Sequence, residues 1–282
     1  MNARSVEPPL LEAVAARAVR AGGDYLADAF RDVDIEAEYG TDDVKSAADR
    51  IAEERALAVI EEAFPDHAVH GEESGRDGEH RYEWVVDPLD GTNNFAAGIP
   101  AFATAACVLA DGRPLVSAIY EPLPDSLYLA RRGEGATADG ESLAAASDRS
   151  LPQGTVSFVV GLPAVRDDDH RAVAGTMESA VDARCKRVIN TWSPCVDWGL
   201  LARGGLDGLV AYRPDVYEQY AGALLAEESG VVRRVFEIDG DGDDLTEVTD
   251  EGAATGVGGL YVAAPDRQKC DLLVEAASEA LS

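Results

Sequence analysis

The sequence predicts an α+β protein built from two layered subdomains, the first rich in antiparallel strands and the second alternating strands with helices. Three observations support this prediction. The chain has 282 residues, which is about two domains' worth. Two helical patterns and then a run of strand-like segments with turn residues between them extend to residue 150. From residue 154, strand-like and helix-like segments alternate, so we expect subdomains at 1–150 and 151–282.

The first half begins with two predicted helices. Apolar residues recur at helical spacing over residues 8–30 and again over residues 47–64. Four strands follow, with turn residues typical of an antiparallel meander between them, at residues 83–86, 103–109, 115–120 and 126–130. Residues 132–148 are rich in Gly, Ala and Ser and predict a loop or a weak hairpin.

The second half alternates strands and helices. Its predicted strands cover residues 155–160, 187–189, 208–212, 231–238 and 260–263. Its predicted helices cover residues 170–181, 194–202, 217–229 and a last stretch that ends at residue 281. Gly230 follows the third of these helices, as expected for a glycine that ends a helix.

Composition excludes some classes of function. The chain carries 53 acidic and 24 basic residues, a formal charge of −29 with histidine neutral. A field this negative repels polyanions, so we expect no nucleic-acid partner. The sequence has no apolar run of about 18 residues, so we expect no membrane span. Abundant acid with few lysines indicates a protein kept soluble at high salt, where charges are screened. No signal-peptide pattern and no paired cysteines are visible, so a cytoplasmic location is expected.

The segment with a chemical pattern runs from residue 71 to residue 95. Gly71-Glu72-Glu73-Ser74 ends a predicted strand, and an apolar strand leads into Asp87-Pro88-Leu89-Asp90-Gly91-Thr92. Two carboxylates at the end of a buried strand cannot both stay ionised at close range without a cation, and such oxygens suit Mg²⁺, Mn²⁺ or Ca²⁺. Backbone N–H groups of Gly91 and Thr92 at a predicted helix start would bind an anion beside the metals. This arrangement indicates metal-assisted phosphate hydrolysis; the alternative is a turn with capping acids.

Glu72 and its neighbours, followed by Trp84-Val-Val-Asp-Pro-Leu-Asp-Gly-Thr-Asn-Asn-Phe95, resemble the motif of the inositol monophosphatase family. The wider group is lithium-sensitive and magnesium-dependent and includes fructose-1,6-bisphosphatases and phosphoadenosine phosphatases. Residues 43–49 resemble the family's upstream D-x-V-T-x-x-D motif, with Ser46 in place of threonine. The resemblance implies a layered α-β-α-β-α sandwich and a homodimer.

The resemblance also implies a role for each matching residue. Metal would be held by the side chains of Glu72, Asp87 and Asp90 and by the backbone carbonyl of Leu89. Asp49 would lie near a more weakly held ion, and Thr92 would orient the attacking water together with Glu72. The implied cofactor is Mg²⁺, or Mn²⁺, with two or three ions. The implied reaction is in-line attack of metal-bound water on a phosphomonoester.

The family's second motif, W-D-x-A-A-G, is altered in this chain. Tyr217 stands for the tryptophan, Glu218 for the aspartate and Tyr220 for a small alanine. Glu218 is expected either to complete the metal and substrate site with altered geometry, or to be only an acid at a helix N-terminus. Tyr220 is expected to narrow the pocket.

A substrate-facing stretch that reads R-x-x-G-S-A in the family is Arg187-Val-Ile-Asn-Thr-Trp192 here. The resemblance therefore implies that Asn190 and Thr191 contact the substrate. Trp192 is either a bulky residue at the pocket or an ordinary core residue. Ala211 lies where inositol-specific members tend to carry a glutamate that contacts the substrate ring.

Three functional hypotheses remain open. The first is hydrolysis of a small phosphomonoester, an inositol phosphate or a sugar phosphate. The second is a bisphosphatase for fructose 1,6-bisphosphate or a nucleotide 3′-phosphate, which needs a second anion site. The nearby cations are Arg184, Lys186, Arg187 and Arg213. The third is a catalytically weak paralogue with a regulatory or interaction role, favoured by the altered positions at 190, 217, 218 and 220.

Overall fold

The structure is a computed structural model that describes residues 7–31, 37–39, 44–238, 245–248 and 256–281, with the backbone alone described at 37–39 and 44–46. In these ranges the helices are α1 (Pro8–Arg31), α2 (Ala47–Ala63), α3 (Thr92–Ala97), α4 (Leu162–Val165), α5 (Asp168–Asp182), α6 (Pro194–Ala202), α7 (Val216–Glu228) and α8 (Arg267–Glu279). None of these helices combines the length and the apolar character needed to cross a membrane.

The strands of the first half are β1 (Ala37–Tyr39), β2 (Val44–Ser46), β3 (Ala68–Gly71), β4 (Gly75–Asp77), β5 (Tyr82–Asp90), β6 (Ala103–Ala110), β7 (Arg113–Glu121), β8 (Ser126–Arg131), β9 (Gly135–Ala138) and β10 (Glu141–Ser142). Those of the second half are β11 (Thr155–Val160), β12 (Arg187–Ile189), β13 (Gly208–Tyr212), β14 (Val232–Ile238), β15 (Leu245–Glu247) and β16 (Leu260–Ala264).

Two large sheets organise the chain, beside the small β1–β2 hairpin. The first has the order β10-β9-β8-β7-β6-β5-β3-β4, and its strands pair antiparallel except for β3 with β5. The second has the order β12-β11-β13-β16-β14-β15. In it β11 pairs parallel with β12 and β13, and the described pairs beyond them are antiparallel.

The sheets and helices stack in five layers. Helices α1 and α2 cover one face of the first sheet, where Trp84 and Val86 of β5 are buried. Val85 points to the opposite face and packs with α6, α7 and Leu209 of the second sheet. The outer face of the second sheet, with Val210, packs against α5 and α8. Successive residues of a strand therefore enter different cores, which explains the nearly continuous apolar runs. This α-β-α-β-α arrangement confirms the predicted fold class.

Most predicted elements are present with shifted ends. The strand predicted at 83–86 runs on to Asp90, because the chain continues past Pro88 with a change of register against β6. The stretch 132–148 contains the short hairpin β9–β10. The sequence did not predict β1, β2, β4, β15 or α4, since segments of three or four residues are too short to show a period.

The connection between the sheets is fixed by a buried acid. Asp207 accepts hydrogen bonds from Ser147 Oγ at 2.5 Å, Arg149 Nε at 2.8 Å and the Thr155 N–H at 3.1 Å. A Cβ on Gly154 would lie 2.6 Å from the Cβ of Asp207, so only glycine fits there. The chain thus passes from β10 to β11 near residue 150, although the division into independent subdomains stays a prediction.

Candidate active site

A cleft of about 370 Å³ lies where the end of β5, the start of α3, the end of β11 and the starts of α6 and α7 come together. Five carboxylates contribute to its lining: Glu72, Asp87, Asp90, Asp215 and Glu218. Among the described residues that line it, Arg166 is the one cation. The cleft therefore concentrates negative charge, and bound cations would relieve the repulsion between its acids.

A bulge at the end of β5 brings Asp87 and Asp90 to the same cleft. Asp87 pairs with Ala105 and Asp90 with Ala103, so three steps along β5 match two along β6. In a regular strand, residues three apart point to opposite faces, and the extra residue of a bulge reverses that. Pro88 lies inside the bulge, where its missing N–H costs no ladder bond, and its carbonyl accepts from Thr104 Oγ1 at 2.9 Å.

Asp90 connects β5 to the start of α6. Its Oδ2 accepts hydrogen bonds from Ser193 Oγ at 2.5 Å and from the Cys195 N–H at 2.8 Å. Burial nevertheless raises the pKa of Asp90 from 3.8 to about 7, and the charge of Asp197 adds to the rise. The carboxylate is therefore held in position while its ionised form is costly without a cation.

Asp87 is more strongly perturbed. Burial raises its pKa well above the ordinary value, and the charges of Glu72, Asp90 and Glu218 raise it further. Its Oδ1 is buried and has no hydrogen-bond partner among the described residues. A divalent cation would satisfy this oxygen and neutralise the surrounding acids, so the residues present fit an oxygen-ligated metal site.

The Cys195 thiol lies unexpectedly close to these acids. Possible ligand atoms of Asp87, Asp90 and Cys195 lie within 4.8 Å of one another. Burial, then the charges of Asp90 and Asp87, raise the pKa of the Cys195 thiol well above its usual value. A protonated thiol is a poor ligand, so the oxygen atoms are the better donors. Because Cys195 is 105 residues from Asp90, no local sequence pattern predicted this proximity.

The turn after Asp90 has a backbone conformation and a close packing that require glycine. Gly91 has φ of 91°, and a Cβ there would lie 2.9 Å from the Ala101 carbonyl oxygen and 3.0 Å from the Cβ of Ser193. Helix α3 begins at Thr92, as predicted. Gly91 and Thr92 both line the cleft, beside Leu89.

Thr92 links Asp49 to this turn. Its Oγ1 lies 2.9 Å from Asp49 Oδ1 and 3.0 Å from the Leu89 carbonyl oxygen. The hydroxyl has one hydrogen and donates to one of these acceptors at a time. Asp49 is 3% exposed, and its charge contributes to the raised pKa of Asp87. The sequence-predicted Asp49, Thr92, Leu89, Asp87, Asp90 and Glu72 therefore converge.

Glu218 fits both of the interpretations that the sequence left open. At the third position of α7 it forms a capping box, with its Oε1 accepting the Asp215 N–H at 3.1 Å. It also lines the cleft and is buried, and its pKa is raised well above normal by burial and by the charge of Asp215. The capping bond uses Oε1.

Two bulky replacements near Glu218 have different positions. Tyr217 lines the cleft, with its hydroxyl 3.3 Å from His70 Nε2. The structure does not support the expectation that Tyr220 narrows the pocket, since Tyr220 packs against the core between the sheets and is not among the described residues that line the cleft. Ala211 is fully buried in the same core.

The structure does not bring Asn190 and Thr191 into the cleft, so it does not support their expected contact with substrate. Thr191 Oγ1 is turned to the buried Asp197, 2.9 Å from its Oδ2. Asn190 is exposed, and its Oδ1 accepts the Trp192 N–H at 3.3 Å. Trp192 itself lines the cleft and is 47% exposed.

The cations named for a second anion site also lie elsewhere. Arg184 pairs with Glu279 at 2.8 Å, and Arg187 Nε donates to Thr155 Oγ1 at 3.1 Å. Neither they nor Lys186 and Arg213 are among the residues that line the cleft. Arg166, at the end of α4, does line it, and the sequence did not single it out.

Glu53 is a further residue that the sequence did not predict. It is 3% exposed, and its carboxylate accepts the backbone N–H groups of Glu73 at 2.9 Å and Ser74 at 2.7 Å. A Cβ on Gly71 would lie 2.5 Å from Glu53 Oε2. Helix α2 thus holds the turn that carries Glu72 into the cleft. The only signal in the sequence was an acid one turn after Asp49, on the same face of a predicted helix.

Comparisons with known proteins agree with the fold. The model of the inositol monophosphatase family matches residues 9–280. A protein of Aquifex aeolicus named fructose-1,6-bisphosphatase/inositol-1-monophosphatase is 33% identical over 222 residues, which cover 78% of this chain and 83% of that one. The Nus factor SuhB of Escherichia coli K12 is 32% identical over 228 residues, which cover 79% of this chain and 83% of that one.

Solved structures show the same fold at lower identity. The extragenic suppressor protein suhB of Bartonella henselae aligns with a TM-score of 0.80 at 24% identity, covering 97% of this chain and 98% of that one. The inositol monophosphatase of Anabaena aligns with a TM-score of 0.77 at 24% identity, covering 96% of each chain.

Proposed function

The chain belongs to the inositol monophosphatase family, and from this premise we propose that it hydrolyses a small phosphomonoester, an inositol phosphate or a sugar phosphate, with the help of divalent cations. One observation carries the proposal. Glu72, Asp87 and Asp90 line one cleft beside the Gly91–Thr92 turn, and a buried oxygen of Asp87 has no partner among the described residues.

The proposed ligands are the oxygens that already converge. They are the side chains of Glu72, Asp87 and Asp90 and the carbonyl of Leu89, with Glu218 as a further carboxylate. Hard oxygen donors favour Mg²⁺, with Mn²⁺ as the alternative, and the number of carboxylates supports two or three ions. When bound, the ions supply Lewis acidity that makes water a better nucleophile and stabilises charge on the leaving oxygen.

The protein's own groups bind the phosphate and orient the water. Backbone N–H groups of Gly91 and Thr92, which line the cleft at the start of α3, would donate to the phosphate oxygens. Thr92 donates its one hydroxyl hydrogen to Asp49 or to the Leu89 carbonyl, so its oxygen is free to accept a hydrogen from water. Glu72 accepts the other hydrogen of that water and serves as general base. Asp49 contributes by fixing the Thr92 hydroxyl.

The test is a pair of neighbouring substitutions. Glu72→Gln should lower Mg²⁺-supported hydrolysis of 4-nitrophenyl phosphate by about two orders of magnitude or more. Glu73→Gln is the matched control, because its side chain does not line the cleft, and it should retain activity. Both variants should melt as the wild type does. Near wild-type turnover in Glu72→Gln would remove that residue from the mechanism.

A second candidate function is favoured by Arg166. A cation on the cleft wall suits a substrate with a second phosphate, as in fructose 1,6-bisphosphate or a nucleotide 3′-phosphate. The Aquifex aeolicus relative carries both phosphatase names. Arg166→Gln should then lower kcat/KM for fructose 1,6-bisphosphate more than for glycerol 2-phosphate. An equal effect on both substrates would favour the monophosphatase.

Partners and location complete the proposal. The net charge of −29 supports an enzyme of the cytoplasm that does not bind nucleic acid through a basic face, and the family supports a homodimer. Relatives named Nus factor SuhB keep the third hypothesis open, a weak catalyst with a regulatory role. Wild-type activity no higher than that of Glu72→Gln on every phosphate ester tested would favour this third hypothesis.

A further inference from the structure

The most unusual residue of the cleft is Trp192. Among the described residues, the exposed large hydrophobic side chains are those of Leu10, Ile99 and Trp192. Of these, Trp192 alone lines the cleft. An aromatic side chain that is 47% exposed inside a charged cleft keeps its apolar face in contact with water. This face is therefore open to a ligand bound in the cleft.

The backbone at Trp192 is held in a conformation that tryptophan rarely adopts. Its φ is 56°, in the left-handed region, where a bulky residue is an outlier. Three of the other described non-glycine residues with a positive φ are aspartates of the first half, namely Asp111, Asp125 and Asp139. Such strain persists where the surrounding structure enforces it, and it clusters at functional sites.

The residues on both sides of Trp192 enforce this conformation. The Thr191 carbonyl accepts from Asn94 Nδ2 at 2.7 Å, and the Thr191 hydroxyl lies 2.9 Å from Asp197 Oδ2. Ser193 is fully buried, and its Oγ donates to Asp90. The tryptophan is therefore fixed by the same contacts that hold Asp90 and the start of α6.

These contacts also place Trp192 next to the proposed phosphate-binding turn. Ser193 packs closely on Gly91, because a Cβ added to Gly91 would lie 3.0 Å from the Cβ of Ser193. Trp192 is the preceding residue and faces the same cleft. A leaving group extending from a phosphate at Gly91 and Thr92 would meet the indole. Around it the wall is apolar, with Leu162, Pro163 and Pro194.

We propose that Trp192 is a specificity-determining residue, and that its indole stacks on a flat ring in the leaving group of the substrate. The inference rests on the proposed function and deepens it. An aromatic face with apolar neighbours stacks well on a heteroaromatic base or another planar ring. Within the proposed class of phosphomonoesters, the favoured substrates are therefore sugar phosphates that carry a planar ring, such as nucleoside monophosphates.

The experiment compares ring-bearing and ring-free substrates in Trp192→Gly and Trp192→Phe. Glycine suits the positive φ, so Trp192→Gly should fold, and circular dichroism and melting check this. With Mg²⁺ in molar KCl, kcat/KM for adenosine 5′-monophosphate should fall about tenfold or more in Trp192→Gly, mainly through KM, as expected from stacking. For glycerol 2-phosphate, the kcat/KM of Trp192→Gly should stay within about twofold of the wild-type value. Trp192→Phe should recover most of the loss.

Leu10→Ala is the matched control, an exposed apolar residue on α1 outside the cleft, and it should change neither substrate. Titration with adenosine 5′-monophosphate should also change the indole emission of the wild type and not that of Trp192→Gly, since Trp84 and Trp198 are fully buried.

The outcomes separate this inference from the proposed function. If the wild type hydrolyses no ester, glycerol 2-phosphate included, the proposed function fails. If it hydrolyses both esters and Trp192→Gly leaves their kcat/KM ratio unchanged, the stacking role is overturned while the phosphatase stands. Loss of a dimer in size-exclusion chromatography with an unchanged ratio would assign Trp192 to a subunit contact and would also overturn the inference.

Discussion

Replacing Asp90 by asparagine should remove activity and yet stabilise the metal-free protein. Burial raises the pKa of Asp90 from 3.8 to about 7. Each pKa unit is worth about 1.4 kcal/mol, so ionising this group in the folded state costs up to about 4 kcal/mol. The Asp90→Asn variant would keep an oxygen to accept from Ser193 and Cys195 and would avoid that cost.

The sign of the pH dependence follows from the raised pKa. Below about pH 4 the Asp90 carboxyl is protonated in both the folded and the unfolded wild type, and its contribution to stability is complete. As the pH rises towards 7 the unfolded state loses this proton first, so the wild type becomes less stable and Asp90→Asn does not. In EDTA and molar KCl, urea unfolding at pH 8 should show the variant to be more stable, with the gap closing towards pH 4.

Mg²⁺ should reverse this order. A cation at 100 times its Kd stabilises the folded wild type by about 2.7 kcal/mol and should stabilise Asp90→Asn much less. The matched control is Asp197→Asn, because burial also raises the pKa of Asp197 to about 7 but its side chain does not line the cleft. This control should keep the Mg²⁺ response. An Asp90→Asn variant that is less stable than the wild type in EDTA at pH 8, or equally stabilised by Mg²⁺, would refute the reasoning.

Three further predictions concern Glu218, Glu53 and salt. Glu218→Gln keeps an acceptor for the Asp215 N–H and should therefore fold normally. The variant should need at least about tenfold more Mg²⁺ for half-maximal activity. An unchanged Mg²⁺ requirement would make Glu218 only a helix cap. Glu53→Gln leaves the Ser74 or Glu73 N–H with a weaker acceptor. The variant should raise the Mg²⁺ requirement about tenfold and leave KM for substrate unchanged. A lower melting temperature with an unchanged Mg²⁺ requirement would contradict a positioning role. The melting temperature of the wild type should rise from low salt to molar KCl, because 53 acids repel one another unscreened, and a flat or falling curve would oppose this.

The fold was predictable where the apolar pattern is long. Strands such as β11 (Thr155–Val160) and β13 (Gly208–Tyr212), and helix α6 (Pro194–Ala202), lie at the predicted positions because their apolar residues and flanking turn residues act locally. The bulge at Pro88 was only partly predictable. A proline indicates an interrupted ladder, but the register against β6 depends on a strand 16 residues away.

The site was predictable in its first half and less so in its second. Asp87, Asp90, Gly91 and Thr92 are close in sequence and in space, so one motif contains their arrangement. Asn190 and Thr191 are not among the described residues that line the cleft, and the Thr191 hydroxyl lies against Asp197 of α6 instead.

Contacts between distant parts of the chain left no local pattern in the sequence. Cys195 reaches Asp90 across 105 residues, and Arg166 enters the cleft from a four-residue helix that has no detectable period. The sequence therefore named the acids that converge in the cleft and missed the groups that surround them.

The most direct test of the account is a crystal structure of the wild type grown with Mn²⁺, with anomalous data that locate the ion. One or more anomalous peaks should lie within bonding distance of carboxylate oxygens of Glu72, Asp87 and Asp90, beside the N–H groups of Gly91 and Thr92. The proposed metal site would be contradicted if those side chains pointed to separate regions, or if Mn²⁺ bound only elsewhere on the acidic surface.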